Sequence, residues 1–274
     1  MRVGRIGYIN CYPVYGAIDR EVVESPGTTF VTGTPSELND LLAAGELDVS
    51  VVSAVEYARN AKDYHLLPDL AISCDGPVRS VALFSRREVN QLDGATVLVS
   101  ASSRTSVHLV ELLCKEYWNV APRLVEARAE QQDLEALSKL PHDAVLVIGD
   151  AALHLASQQS YPYRYDLGAV WKEWTGLPFV FAVWAGRRDA DQGKIATVHR
   201  TLLESRDWGL SHLDELAADA SVATNIRLGE CREYLSGLDY ALSYRHIEGL
   251  TSFFRRLAAH GVVRDGTLSF LAVA

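Results

Sequence analysis

The sequence predicts a two-lobed α/β protein built on open parallel sheets. The chain has 274 residues, and because single domains usually run to roughly 100 to 200 residues, two lobes are the expected arrangement. Apolar residues make up 48% of the chain, which is enough to fill two modest cores. Strand-like apolar runs alternate with segments of helical periodicity, a pattern typical of parallel sheets covered by helices.

The first elements follow a strand–helix–strand order. The run RVGRIGYI predicts a strand that ends at Asn10, and residues 14–18 predict the start of a helix. TTFVTG predicts a short second strand. Thr34, Pro35 and Glu37 are typical of a helix start, with Thr34 as the cap and Pro35 at the first helical position. LDVSVV then predicts a buried strand of the kind found in parallel sheets.

The same alternation continues into the middle of the chain. Residues 54–62 predict a helix, and LPDLAIS predicts the approach to a strand. SVALFS and ATVLVS each predict a strand. Between the second of these strands and a helix predicted over residues 107–118, residues 102–106 form a polar segment that predicts a loop. This is a second strand–helix unit.

The last part of the chain predicts one more such unit and a helical end. DAVLVI predicts a fully apolar strand followed by a helix over residues 151–157. PFVFAVW predicts the last strong strand. We expect residues 185–274 to be mostly helical, with breaks at Gly209, Gly229 and Gly261.

The charge of the chain argues against nucleic acid and membrane partners. Asp and Glu total 35 against 26 Lys and Arg, for a net charge of −9, so the protein repels a polyanion. No apolar stretch approaches the roughly 20 residues that span a bilayer. The segment MRVGRIGYINCYPVY lacks the apolar core of a secretory signal. We expect a cytoplasmic protein that binds a small molecule, and the sequence leaves the oligomeric state open.

The chain carries no familiar metal or cofactor motif. Its four cysteines are far apart and show no CxxC spacing, so we expect free thiols and no metal site. The sequence contains no HExxH, no GxSxG and no glycine-rich phosphate loop. We therefore expect no metal and no cofactor.

Candidate ligand contacts follow from the strand ends, because ligands of open parallel sheets lie beyond the carboxyl ends of the strands. These ends carry Asn10, Ser53, Ser80, residues 102–106, Gly149 and Asp150. An amide or hydroxyl at such a place binds substrate without changing its own charge. The alternatives are local: a turn for the asparagine, backbone contacts for the serines and a helix cap for the aspartate. Spacing leaves both interpretations open, and a general-base role for Asp150 stays possible.

The segment SASSRTSV suggests a site for an anion. Ser103, Arg104, Thr105 and Ser106 place hydroxyls and a guanidinium before a predicted helix, where unpaired amides and the helix dipole favour negative charge. The alternative is that Ser102, Thr105 or Ser106 only caps its own helix. The arginine favours the anion.

Aromatic residues cluster near the last strand and pose a similar choice. Aromatic side chains either line a pocket or pack in a core, and we expect core packing for most of these. The residues are Trp171, Trp174, Phe179, Phe181 and Trp184.

Several strings, in order over roughly residues 3 to 188, resemble one family, the chorismate dehydratases of the futalosine route to menaquinone. The strings are INCYPVY, TPSELNDLLAAGELDVSVVSAVEYARNA, CDGPVRSV, SSRTSV, VLVIGDAAL and DLGAVWKEWTGLPFVFAVWA. The part WKEWTGLPFVFAVWA is the most specific. The dihydroxynaphthoate synthases of the same pathway share the fold but have a different pattern after the first strand, Ser-Pro-Cys-Pro-Asn-Asp-Thr. This chain has INCYPVY there, which favours the resemblance to the dehydratases.

The resemblance implies a periplasmic-binding-protein type II-like fold, with two α/β lobes closing over a central ligand cleft. Mapped by motif, residues 1–84 and 184–274 would form the first lobe and residues 85–183 the second. Hinges are expected near residues 84–86 and 183–186.

The resemblance also implies a reaction, the loss of water from chorismate to give 3-enolpyruvylbenzoate. The family's substrate-contacting asparagine falls on Asn10 and its cleft serine on Ser80, which we take as the catalytic candidates. Its anion-binding helix start corresponds to residues 103–106. The base stays unassigned among Asp150, Glu56 and the enolpyruvyl carboxylate of the substrate. Competing functions are a solute-binding protein, a dihydroxynaphthoate synthase and a ligand-sensing module.

Overall fold

The structure is a computed structural model that describes residues 1–100 and 104–272. The chain divides into two compact units. The first comprises Met1–Ser73 and Val180–Ala274, and the second comprises Cys74–Phe179. Each unit is built around its own five-stranded sheet.

Strands of the described chain are numbered in chain order: β1 Arg2–Ile6, β2 Thr29–Gly33, β3 Val49–Ser53, β4 Tyr64–Cys74, β5 Val81–Ser85, β6 Thr96–Ser100, β7 Arg123–Ala127, β8 Ala144–Ile148, β9 Tyr163–Asp166 and β10 Phe179–Arg187. Helices are numbered in the same way: α1 Tyr12–Asp19, α2 Pro35–Ala43, α3 Ala54–Arg59, α4 Arg104–Leu112, α5 Leu134–Lys139, α6 Gly149–Gln158, α7 Leu167–Thr175, α8 Gln192–Ser211, α9 Leu213–Thr224, α10 Leu228–Ser236 and α11 Tyr244–Ala259.

The sheet of the first unit has the order β2-β1-β3-β10-β4. Strand β1 pairs in parallel with β2 and with β3, whereas β10 pairs antiparallel to β3, with Ala182 opposite Ser53. The carboxyl ends of β1 and β3 therefore meet at the edge where β10 begins. Because β10 runs antiparallel to β3, the sheet is mixed, and the predicted parallel pairing is confirmed for β1, β2 and β3 but not for β10.

Helix α8 packs against α1 through a close backbone contact. A Cβ on Gly209 would lie 2.1 Å from the carbonyl oxygen of Pro13, so only glycine permits this approach.

The predicted helix breaks at Gly209 and Gly229 are wrong, because Gly209 lies inside helix α8 and Gly229 lies inside helix α10. The break at Gly261 is confirmed, because α11 ends just before it and its φ is +72°.

The sheet of the second unit has the order β7-β6-β8-β5-β9. Strand β6 is parallel to β7 and β8, and β5 is antiparallel to β8 and β9. Alternate residues of these strands face helices α5 and α6 and bury an apolar core that includes Ala82, Phe84, Leu98, Val145, Leu137 and Ala152.

The expected lobe boundaries differ from the observed ones. Residues 74–84 were expected in the first lobe, but β5 pairs with β8 and β9 and belongs to the second sheet. The residues expected as hinges each lie within one sheet and not where the chain changes unit: Phe84 pairs with Val145 in the second sheet, and Val183 pairs with Val52 in the first. The chain instead passes between the units at residues 73–74 and 179–180.

Several local predictions are confirmed. Thr34 accepts a hydrogen bond from the amide of Glu37, whose carboxylate accepts one from the Thr34 amide, and Pro35 opens α2. The four cysteines are buried thiols that form no disulfide. Among the aromatic residues, Trp171 and Trp184 are fully buried core residues. Within the part of the chain that is described, no helix combines the length and apolarity of a membrane span.

Candidate functional site

In the second unit, strand ends that carry predicted site residues meet at one edge of the sheet. Strand β5 runs antiparallel to β8, with Val81 opposite Ile148. Ser80, just before β5, therefore lies beside Gly149, just after β8. The backbone amide of Gly149 donates a hydrogen bond to the carbonyl oxygen of Ser80 at 2.7 Å. The structure thus brings Ser80, Gly149 and Asp150 together, although they come from distant parts of the sequence.

Ser80 is presented by an unusual turn. The residue before it, Arg79, has a φ of +64°, a left-handed conformation that residues with a side chain rarely adopt. The amide of Ser80 donates to the carbonyl oxygen of Val78 at 2.7 Å, and the carboxylate of Asp166 accepts hydrogen bonds from the amides of Val78 and Arg79. The buried side chain of Ser80 therefore sits on a backbone that is fixed by specific contacts.

The predicted anion segment begins a helix earlier than expected. Arg104, Thr105 and Ser106 form the first turn of α4, whereas the sequence predicted a loop there and a helix only from residue 107. Thr105 and Ser106 are buried. Neither is the residue that precedes the helix, where a capping side chain lies, so the capping interpretation does not apply to them. Ser102 and Ser103 lie outside the described residues.

Gly149 and Asp150 begin helix α6. Gly149 has a φ of +62°, which favours glycine because a Cβ in this conformation crowds the backbone. Ile148 occupies the capping position and makes no side-chain capping bond. Asp150 is therefore not a cap; it lies half-buried in the first turn, where the helix dipole favours a negative charge.

In the first unit, Asn10 follows β1 in the short 3₁₀ turn Ile9–Cys11. Its side-chain oxygen is buried and accepts no hydrogen bond from any described residue. Leaving a buried acceptor unsatisfied costs about 1–3 kcal/mol, so a side chain that serves only the turn would not be expected to keep one. The oxygen of Asn10 is therefore an acceptor for which no described residue supplies a donor.

Ser53 lies at the same edge, because β1 and β3 are parallel, but its hydroxyl has a structural role. It accepts a hydrogen bond from the amide of Glu56 at 3.2 Å and caps α3. Asn39 completes the arrangement: its amide nitrogen is 3.5 Å from the Ser53 hydroxyl, and its oxygen accepts from the Ser53 amide. The carboxylate of Glu56 is buried and accepts a hydrogen bond from Asn60 at 2.6 Å.

Asp166 was not predicted as a site residue from the sequence. One of its carboxylate oxygens accepts from the amide of Ala169 and so caps helix α7, and an Asp before a run of helical periodicity is a usual signal of such a cap. The two further bonds to the turn before Ser80 join segments almost ninety residues apart, and no local pattern predicts them.

These features define a class of proteins, the two-unit α/β proteins with the periplasmic-binding-protein fold. The alkanesulfonate-binding protein SsuA of Xanthomonas axonopodis pv. citri superimposes with a TM-score of 0.70 at 15% identity, over 98% of this chain and 95% of that chain. A Candida albicans protein, described as exhibiting the generic periplasmic binding protein fold, superimposes with a TM-score of 0.66 at 11% identity, over 100% and 98% of the two chains.

Within that class, the chain belongs to the menaquinone biosynthesis family, whose model matches residues 1–259. A chorismate dehydratase of Thermus thermophilus is 32% identical over 265 residues, which cover 91% of this chain and 92% of that protein. The predicted fold class and family are therefore confirmed. Among the described residues, no group of three or more His, Cys, Asp or Glu side chains is arranged to hold a metal ion.

Proposed function

We propose that this protein is a hydro-lyase that removes water from chorismate to give 3-enolpyruvylbenzoate in menaquinone biosynthesis. The observation that carries the proposal is the 32% identity to a chorismate dehydratase over 91% of the chain. A cytoplasmic location, as expected from the sequence, is part of the proposal. Its partner is a small molecule, and no metal or cofactor takes part.

The reaction breaks two bonds on neighbouring ring carbons. The proton leaves the carbon that bears the enolpyruvyl ether, the hydroxyl leaves the next carbon, and together they form water. The ring becomes aromatic, which supplies the driving force. Because the departing proton is conjugated through a ring double bond to the ring carboxylate, negative charge develops on that carboxylate when deprotonation comes first. Donors directed at it then stabilise the transition state.

We assign the carboxylate-binding role to the start of α4. Arg104 lies in the first turn with Thr105 and Ser106, where a guanidinium, backbone amides and the positive end of the helix dipole favour an anion. Ser80 and the amide-rich start of α6 lie at the same edge of this sheet. A carboxylate bound there is held by groups that need no rearrangement during the reaction.

We assign the ring hydroxyl to Asn10. A carboxylate has no hydrogen to donate, whereas a hydroxyl has one. The buried, unpaired side-chain oxygen of Asn10 therefore matches a hydroxyl better than it matches either carboxylate of chorismate. This contact orients the leaving group relative to the proton that departs with it.

The base is one of three groups. Asp150 is half-buried beside Ser80, and Glu56 is buried in the first turn of α3 with a hydrogen bond from Asn60. The third is the enolpyruvyl carboxylate of the substrate. The ether oxygen joins the enolpyruvyl group to the ring carbon that loses its proton. Asp150→Asn and Glu56→Gln keep the shape of each side chain and remove its basicity, so a loss of turnover in only one variant identifies a protein base.

The structural neighbours favour one other function, ligand binding without chemistry, since SsuA is named as a binding protein. The assay that separates the two follows the diene absorbance of chorismate during incubation with the purified protein. A dehydratase consumes the diene and yields an aromatic product. An unchanged spectrum with chorismate bound would reject the proposal in favour of a binding protein.

Two variants then test the assigned residues. Asn10→Ala and Ser80→Ala are each expected to lower kcat/KM by about tenfold to a thousandfold, the range for loss of one aligned donor or orienting contact. Asn90→Ala and Ser138→Ala change exposed residues of the same types and are expected to retain full activity. Unchanged kinetics in the first pair would reject the assigned roles.

A further inference from the structure

The loop from Asp75 to Ser80 lies on helix α7 within the second unit. Lys172 Nζ is 2.5 Å from Asp75 Oδ1. At the start of the helix, a Cβ on Gly168 would lie 2.6 Å from the carbonyl oxygen of Gly76, so glycine allows the loop backbone to approach closely. The loop is therefore held at both a charged contact and a tight backbone contact.

The carboxylate of Asp166 makes further contacts with this loop. Its Oδ1 accepts from the amides of Ala169 and Val78, both at 3.0 Å, and its Oδ2 accepts from the amide of Arg79 at 2.6 Å. A cap of α7 requires only the first of these three bonds. The other two bind the turn that precedes Ser80, and they are stronger than ordinary hydrogen bonds because the acceptor is charged.

These two bonds lie where the backbone is strained. Arg79 has a φ of +64°, and a residue with a Cβ keeps such a conformation only when its surroundings impose it. Arg164 adds a second support, since its guanidinium donates to the carbonyl oxygen of Arg79 at 3.3 Å. The orientation of the Ser80 side chain depends on the left-handed conformation of Arg79.

We propose that Asp166 is a positioning residue for the reaction: its carboxylate holds the left-handed turn at Arg79 and thereby sets the place of the Ser80 hydroxyl. This inference rests on the proposed function, in which Ser80 contacts the substrate. Asp166 acts through Ser80 and does not itself touch chorismate. Its capping of α7 is a separate, structural contribution.

The variant Asp166→Ser separates the two contributions. Serine is an effective cap and retains the bond to Ala169, but its shorter side chain does not reach the amides of Val78 and Arg79. Because two bonds to a charged acceptor are lost, we expect a lower unfolding midpoint in a protein that still folds. Measured well below that midpoint, kcat/KM is expected to fall about ten- to a hundredfold, the effect of a small misplacement of an aligned group. Asp191→Ser is the matched control, since Asp191 caps α8 through the amide of Lys194 in the other unit.

Two further measurements exclude a merely structural effect. In the Ser80→Ala background, Asp166→Ser is expected to change kcat/KM by less than about threefold, because residues that act through one another are not additive. Where turnover is too low to measure, the dissociation constant of 3-enolpyruvylbenzoate replaces it. Hydrogen exchange at the amides of Val78 and Arg79 is expected to be faster in Asp166→Ser and unchanged in Asp191→Ser.

The outcomes separate this inference from the proposed function. Unmodified protein that leaves chorismate intact would overturn both. Active protein in which Ser80→Ala is impaired and Asp166→Ser is not would overturn only the role of Asp166. If Asp166→Ser lowers kcat/KM by the same factor in the unmodified protein and in the Ser80→Ala background, the role of Asp166 is likewise overturned.

Discussion

The amide of Gly149 donates to the carbonyl oxygen of Ser80 at 2.7 Å, and this bond joins the start of β5 to the start of α6. It depends on the left-handed conformation of Gly149, whose φ is +62°. The same bond links the proposed substrate contact Ser80 to the helix that carries Asp150. A substitution at Gly149 is therefore expected to displace Ser80 and Asp150 while leaving both of their side chains present.

Gly149→Ala is expected to lower kcat/KM by about tenfold or more, because a Cβ in this conformation costs roughly 1–2 kcal/mol and shifts the backbone that meets Ser80. Gly94→Ala is the matched control. Gly94 has nearly the same φ, +65°, with nothing within 4 Å of the added Cβ, and precedes β6 at the opposite edge of the sheet. Steady-state kinetics and urea unfolding of both variants check this, and equal effects on activity would contradict it.

Gly209→Ala is expected to destabilise the first unit by about 1–3 kcal/mol or more, since the new Cβ would lie 2.1 Å from a backbone oxygen of Pro13 that is not free to move. Gly229→Ala is the comparison, because Gly229 is exposed near the start of α10 with nothing within 4 Å of its added Cβ. There, alanine is expected to stabilise by up to about 1 kcal/mol. Chemical denaturation measures both, and a stable Gly209→Ala protein would contradict the close contact of α1 and α8.

Tyr15→Phe is expected to lower the free energy of unfolding by about 1–3 kcal/mol. The buried hydroxyl of Tyr15 accepts from Trp184 Nε1 at 3.0 Å and donates to the carbonyl oxygen of Gly4 at 3.3 Å, so its loss leaves a buried donor without a partner. In a Trp184→Phe background the same change is expected to cost less, because that donor is already gone. Equal costs in the two backgrounds would show that this bond is not formed.

His199→Gln is expected to make stability less dependent on pH in the acid range. Burial, followed by the nearby charge of Arg206, lowers the pKa of His199 below its ordinary value of 6.5, and its Nε2 donates to the carbonyl oxygen of Pro68 at 2.7 Å. As the pH falls below about 6.5, the unfolded chain therefore binds a proton that the folded chain does not, and stability is lost until the folded imidazole is also protonated.

Glutamine is able to keep the donor to Pro68 without this titration. Unfolding free energies measured between about pH 5 and pH 8 are expected to fall less steeply toward acid in His199→Gln than in the unmodified protein. His260→Gln changes an exposed histidine and serves as the control. Identical slopes in all three proteins would reject a role for His199.

The sequence predicted those features that depend on neighbouring residues. The capping box of Thr34 and Glu37 and the buried strand at Val49–Ser53 follow from spacing over a few positions. The family resemblance came from contiguous strings. These patterns persist in the structure because tertiary contacts reinforce the local preference.

Features set by distant pairing were not predictable in this way. The place of β5 in the second sheet depends on its bonds to β8 and β9, which lie some sixty to eighty residues further along the chain. Gly209 resembles a helix break until its contact with Pro13 is known. Asp166 resembles an ordinary cap, and only the folded chain shows that it also binds the turn before Ser80.

The measurement that tests the central claim most directly uses chorismate carrying deuterium on the ring carbon that bears the enolpyruvyl ether. The purified protein, with chelator present and no nucleotide added, is expected to release that deuterium to solvent and to yield 3-enolpyruvylbenzoate without the label. Recovery of labelled chorismate, or of a product that still carries the deuterium, would contradict the account.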